Sequence, residues 1–214
     1  MTTVDRPAST RRDARHNREL LVERARAGFA EHGATASLEL IARSAGLAIG
    51  TLYRHFPRRI DLLVAVYGAT LRDFLDAAEA TLGSADPWDG FSAFFEELCA
   101  AQARDRGFGD FVSRRFPDDE RTEALHDRLC QVAERALVGA QESGAVRRDV
   151  TTADLVMVLW AISGVAEATG PVAPGAWRRH LHVVLDGFRA TAVNDLPGPP
   201  LDDEQLYRTM ARSR

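Results

Sequence analysis

The chain has 214 residues, enough for a small head and one sizeable core. Its two cysteines, Cys99 and Cys130, exclude a disulfide framework and fit a cytosolic protein. No signal peptide is read, and the longest apolar stretch reads as far too short to span a bilayer, so a soluble, cytoplasmic, membrane-free molecule is expected. The formal net charge is −4, but it is unevenly spread: residues 1–60 carry 11 Arg and 6 acidic residues, a net of +5, which leaves −9 for the rest. A local positive charge of this kind lets an acidic protein meet phosphates at short range.

The chain opens on an arginine-rich segment, with Arg6, Arg11, Arg12, Arg15 and Arg18. It reads either as an arm that follows a nucleic-acid backbone or, over residues 1–12, as a solubilising leader. All 27 basic residues are arginine, which favours forked phosphate contacts. Next comes a pair of short amphipathic helices. Ser37 is placed as an N-cap, with Leu38, Ile41, Ala42 and Ala45 at helical spacing behind it. Gly46 can take the left-handed conformation that stops the helix, and Leu47 turns back onto its apolar face. The second helix, residues 49–56, buries Leu52 and Phe56 four residues apart and leaves Thr51, Tyr53, Arg54 and His55 toward solvent or a partner. Gly50 lets the backbone approach whatever the helix docks on. These polar residue types are poor core formers and good partners for phosphates and base edges.

The stretch from Glu19 to Tyr67 resembles the DNA-binding domain of the TetR family of bacterial transcriptional regulators. The residues that carry the resemblance are Ala25, Phe29, Gly33, Ile41-Ala42, Ala45-Gly46, Gly50-Thr51-Leu52-Tyr53, His55-Phe56, Arg59 and Leu62-Leu63. The resemblance implies that residues 49–56 are a recognition helix and that Arg43, Ile49, Gly50, Thr51, Tyr53, Arg54, His55 and Arg59 meet DNA. Two positions depart from the family pattern. Ala48 stands where a capping Ser or Thr is usual, and Ile60 stands where an acidic residue is usual, so a helix-start interaction is expected to be missing there.

The rest reads as helices. Pro57 precedes a connecting helix over residues 59–82, broken at Ser84 to Pro87. Asp86 and Pro87 start another, with Trp88, Phe91, Phe94, Phe95 and Leu98 inward. Gly107, Gly109 and Pro117 suggest a less regular region around Phe108, Phe111, Val112 and Phe116. A long helix spans about Glu120 to Glu142 and ends at Gly144. Thr151 and Asp154 form a capping box ahead of Leu155 to Ile162, which is apolar on almost every face. After a break at Gly170–Gly175, a last helix runs from Ala176 to about Val193. Pro197 to Pro200 ends the packed body, and the tail with Leu206, Tyr207 and Met210 either docks weakly or stays loose.

The expected architecture is therefore all-α: a three-helix helix-turn-helix head (residues 13–72) joined to a larger effector-binding and dimerisation domain (residues 73–195). The resemblance implies a homodimer on a palindromic operator in double-stranded DNA. Leu159, Ile162, Leu181, Val184, Leu185 and Phe188 are placed at the dimer interface, and Ala161, Gly164 and Gly187 are small enough for close approach. It also implies a mostly apolar small-molecule effector. Trp88, Phe91, Phe95, Phe108, Phe111, His126, Leu129, Met157 and Trp160 are the residues placed around it, each equally readable as core packing. The Asp86-Pro87-Trp88 start is similar to one effector-domain subgroup. No catalytic, metal or cofactor constellation is read: His180 and His182 are two apart on a helix and point to different sides, and phosphate loops and nucleophile elbows are missing. A repressor released by its effector is the expected function. The alternatives are an activator or architectural regulator without a small-molecule trigger, or a helical protein-interaction dimer.

Overall fold

The computed structural model describes residues 6–82, 86–191 and 194–211. Among these residues the architecture is all-α. An N-terminal cluster comprises α1 (Arg6–His32), α2 (Leu38–Ser44), α3 (Ile49–His55) and α4 (Arg59–Thr81). A larger bundle follows, of α5 (Pro87–Arg104), α6 (Arg106–Ser113), α7 (Glu120–Glu142), α8 (Thr152–Thr169), α9 (Ala176–Gly187) and α10 (Asp203–Ala211). The expected boundary at residue 72 falls inside α4, which runs unbroken from one part to the other.

The head forms because short apolar stripes converge. Leu21, Ala25 and Phe29 on α1 are fully buried, and Leu38, Ile41, Leu52, Phe56, Leu62 and Val66 close over them. The Ser37 hydroxyl accepts the Leu40 N–H at 3.3 Å and starts α2. At its other end Gly46 takes φ +68°. The Leu47 N–H then reaches the Ala42 carbonyl (2.9 Å) and the Gly46 N–H the Arg43 carbonyl (3.0 Å), the paired bonds of a Schellman stop. Ala48 indeed offers α3 no side-chain cap. The start of α4, by contrast, does not lack its acidic partner. Asp61, one position beyond the expected site, accepts the Arg58 N–H at 2.9 Å, so the carboxylate has moved along the chain while its work is kept.

In the body, the Asp86 carboxylate caps α5 through the N–H groups of Trp88 and Asp89. The region around Phe108 is a regular helix, not an irregular stretch. The Asp105 carboxylate caps it by accepting the Phe108 N–H at 3.0 Å, and its two glycines serve close packing instead of breaking the helix. A Cβ on Gly107 would lie 2.7 Å from the Phe29 Cβ and 2.8 Å from the Phe29 carbonyl, so only glycine lets α6 rest on α1. Asp154 accepts both the N–H and the hydroxyl of Thr151 at the start of α8.

Helix α8 packs against α5, α6, α7 and α9. Contrary to the sequence expectation, its 18 residues are long and apolar enough to cross a membrane by length and composition. Asp154 and Glu167 are its only charges, and a helix that must pack on several neighbours at once needs apolar residues all round. Helix α9 stops at Gly187, short of the expected Val193, which lies outside the described residues. The chain turns there to pair with the α7–α8 loop. Arg147 N–H donates to the Phe188 carbonyl (3.0 Å) and Ala190 N–H to the Ala145 carbonyl (3.1 Å), and these backbone bonds compete with further helix.

Candidate nucleic-acid interface and internal cavity

Helix α3 carries its apolar side inward and a polar side outward. Leu52 is fully buried, whereas Tyr53 is 46% exposed and Arg54 lies in solvent. Thr51 and His55 are half-buried at the edges of the face. The Arg54 guanidinium folds back along the helix, donating to the Gly50 carbonyl (3.3 Å) and the Thr51 hydroxyl (3.0 Å). Gly50, Thr51 and Arg54 thus make one polar unit with its donors at the surface. Around Gly50 an added Cβ would meet nothing within 4 Å, so the chain's own packing does not require glycine there. Arg43, in the last turn of α2, is also exposed.

Two of the expected contact residues sit differently. Ile49 is half-buried and packs against the head core. The Arg59 guanidinium donates through one nitrogen to the carbonyls of Ala34 (2.9 Å) and Ala36 (2.6 Å). Its first role is therefore internal, tying α4 to the α1–α2 turn, where backbone acceptors would otherwise lack partners. Arg18 is similarly engaged, with its guanidinium 5.0 Å above the Phe56 ring.

The head meets the body through a chain of polar links. Asp110 of α6 accepts the Ala34 N–H at 2.8 Å. The buried Tyr67 hydroxyl donates to Asp105 at 2.8 Å, and burial together with that carboxylate pushes its pKa up. Where α4 and α7 begin, Arg58 and Arg121 each pair with both Asp61 and Asp119. Arg58 reaches Asp119 at 2.6 Å and Arg121 reaches Asp61 at 2.7 Å. Although its partial burial opposes ionisation, hydrogen bonds from Arg58 and Arg121 hold Asp61 down at about 2. The side chain of Asp119 is almost wholly buried, and its pKa is lowered chiefly by Arg121.

The body encloses a cavity of about 380 Å³, within the size range of small-molecule sites. Phe94, Phe95 and Leu98 of α5 meet Leu129, Cys130 and Ala133 of α7 and Leu155, Val156 and Leu159 of α8 around it. Of the residues expected there, Phe95, His126 and Leu129 line it. Phe91, Phe108 and Phe111 are instead ordinary core, fully or almost fully buried. Trp88 lies at the other end of α5, its ring 3.6 Å beneath the Arg189 guanidinium. Met157 is half-buried away from the lining, and the Trp160 indole N–H points at the Ser113 carbonyl (3.4 Å). Aromatic content alone located the right layer but not its hollow. The missed wall is mostly aliphatic, with Arg115, Glu134 and Thr152 among it, and is completed by Asp203, Leu206, Tyr207 and Met210 of the C-terminal helix.

His126 braces this wall. Its two ring nitrogens lie 2.7 Å from the Thr122 carbonyl and 2.8 Å from that of Phe111. Burial lowers its pKa, so the imidazole is neutral and donates to only one of them. Burial likewise pushes the Cys99 thiol up to about 12, which makes it inert. Among the described residues no group of three or more His, Cys, Asp or Glu side chains is placed to hold a metal ion.

The proposed dimer residues also divide. Leu159, Ile162, Leu181 and Leu185 are buried within the subunit and so serve its own core, while Val184 and Phe188 are half-buried against it. The outward stripe is instead Ala161, Gly164 and Ala168 on α8 with His180, Val183 and Gly187 on α9. Each set has the i, i+3, i+7 spacing of one helix face. Added Cβ atoms at Gly164 and Gly187 would meet nothing within 4 Å.

A compact three-helix head that presents the polar face of its last short helix, carried on a larger helical body, defines a helix-turn-helix DNA-binding protein. The comparisons agree. Residues 21–66 match the model for bacterial regulatory proteins of the tetR family, and residues 86–190 match that for the C-terminal domain of SbtR-like transcriptional regulators. The second match begins at the Asp-Pro-Trp helix start. The chain belongs to the TetR family of bacterial transcriptional regulators, and it is a DNA-binding regulator. Among solved structures, the TetR regulator SCO0520 from Streptomyces coelicolor is 27% identical, with 82% of this chain and 99% of that one covered at a TM-score of 0.52. KstR2, the ketosteroid transcriptional regulator of Mycobacterium tuberculosis, is 24% identical (80% and 94% covered, TM-score 0.52). The regulator FadR from Bacillus subtilis, solved with stearoyl-CoA, is 16% identical (82% and 99% covered, TM-score 0.61). These last two share the fold. No curated protein matches the chain in sequence.

Proposed function

We propose that the protein is a cytoplasmic, homodimeric repressor whose two heads read a palindromic operator, and that a mostly apolar small molecule in the body cavity releases it. The observation that carries this reading is the face formed by exposed Gly50, Tyr53 and Arg54 with half-buried Thr51 at its edge, opposite buried Leu52. Residues 49–56 enter the major groove, Arg54 and Thr51 supply base readout, and Tyr53 and Arg43 meet phosphates. A single seven-residue helix offers few base contacts, so two are paired through the small-residue stripes of α8 and α9. In this reading residues 13–72 act as the DNA-binding unit and residues 73–195 as the effector and dimer unit. Release requires the ligand to favour the non-binding arrangement, since equal affinity for both shifts nothing.

Selection of binding sites from random duplex DNA, followed by anisotropy titration, tests the reading. Two half-sites about one helical turn apart are expected. Arg54→Ala should relax preference at one base position, at a cost of about 1–3 kcal/mol. Enrichment of no sequence at all would sink the proposal.

A further inference from the structure

One wall of the cavity comes from beyond both family matches. Asp203, Leu206, Tyr207 and Met210 of α10 line it together with α5, α7 and α8. This helix has nine residues, too few to hold its shape alone in water, so its anchoring decides whether it stays. The anchors are few and centre on one residue. The Arg115 N–H donates to the Met210 carbonyl at 3.1 Å, and the Arg115 guanidinium stands 5.6 Å from the Tyr207 ring centroid. Met210 is buried, Leu206 is half-buried, and every other described residue from Leu201 to Thr209 is exposed. A leash containing Pro197, Pro199 and Pro200 precedes the helix; it joins no helix or strand and restricts the angles at which α10 can return.

Arg115 itself is firmly held. Its side chain is nine-tenths buried and pairs with Glu123 (3.2 Å) and Asp127 (2.7 Å) of α7. The latch is therefore rigid on the body side and light on the helix side. We propose that α10 is a tethered door to the cavity: molecules enter and leave when it swings off Arg115, and it closes over them afterwards. The proposal rests on the reading of the cavity as a ligand site for its biological meaning, but the movement can be measured without any ligand.

The experiment uses the full chain with Cys99 and Cys130 replaced by serine and with Leu155→Cys as a reporter on the cavity wall, where Leu155 is 2% exposed. The rate of its reaction with the apolar thiol reagent 4,4′-dithiodipyridine is followed with and without Met210→Asp, which unseats α10. Unseating the door should speed labelling at least tenfold, with circular dichroism unchanged apart from the loss of one short helix. Rates within twofold of each other would overturn the proposal. Should Met210→Asp disturb the fold, the pair Leu206→Ala and Tyr207→Ala lightens the same latch and is read by the same criterion. An unmoved labelling rate counts against the door alone, whereas failure of any small molecule to release DNA counts against the ligand reading alone.

Discussion

At the scale of single residues, the head separates positions that serve the fold from positions that serve the partner. In the proposed interface Gly50 belongs to the second kind. Because nothing surrounds its missing Cβ, Gly50→Ala should raise thermal stability, by up to about 1 kcal/mol from helix propensity, while weakening operator binding in anisotropy titrations. Equal binding by this variant would remove Gly50 from the interface. Arg59 belongs to the first kind. Arg59→Ala leaves the Ala34 and Ala36 carbonyls without their donor, and a loss of about 1–3 kcal/mol in thermal or urea unfolding is expected. The outward polar side of α3 was legible in the sequence because Leu52 and Phe56 fix which side of a short helix is inward, and the polar side follows by periodicity. The role of Arg59 was not legible. Its acceptors lie more than twenty residues upstream, and no local pattern announces a bond from a side chain to a distant turn.

At the scale of elements, caps and stops were read well, since they depend on neighbours within four residues: Ser37, Gly46, Asp86, Gly144 and Thr151 all stand where the chain turns into or out of a helix. The weakest cap gives a direct test. Ala48→Ser supplies α3 with the missing acceptor and should stabilise the protein by about 0.5–2 kcal/mol, seen as a raised Tm. Helix α6 was misread because its glycines were taken as breakers, when their purpose is contact with α1 and α5. The burial of Leu159, Ile162, Leu181 and Leu185 was also beyond a one-dimensional pattern. An all-apolar helix says that several faces are covered, but not which of them face the chain's own core. Small residues at Ala161, Gly164 and Gly187 were the better guide to the outward side.

At the scale of the whole molecule, the head is fastened to the body by charge as well as by packing. Asp61 titrates at about 2, below its ordinary 3.8, and Asp119 is lowered too. A depressed carboxylate stabilises the fold above its unfolded value and loses that contribution as pH falls through its folded value. The difference in Tm between the native chain and Asp61→Asn should therefore be full above about pH 4 and shrink toward pH 2. High salt should reduce it as well, because Arg58 and Arg121 are half exposed.

The contact at Gly107 carries this further. Helix α6 rests on α1 with no room for a single methyl, and the same helix contributes Val112 and Ser113 to the cavity wall. Any larger residue at 107 would act as a shim, tilting the head and reshaping the cavity in one stroke. If the protein is the ligand-released repressor proposed above, operator spacing and ligand choice are then not free to drift apart. On that reading, a change made through this joint alters both at once, and specificity is more freely tuned on α3 and on the cavity lining than at Gly107.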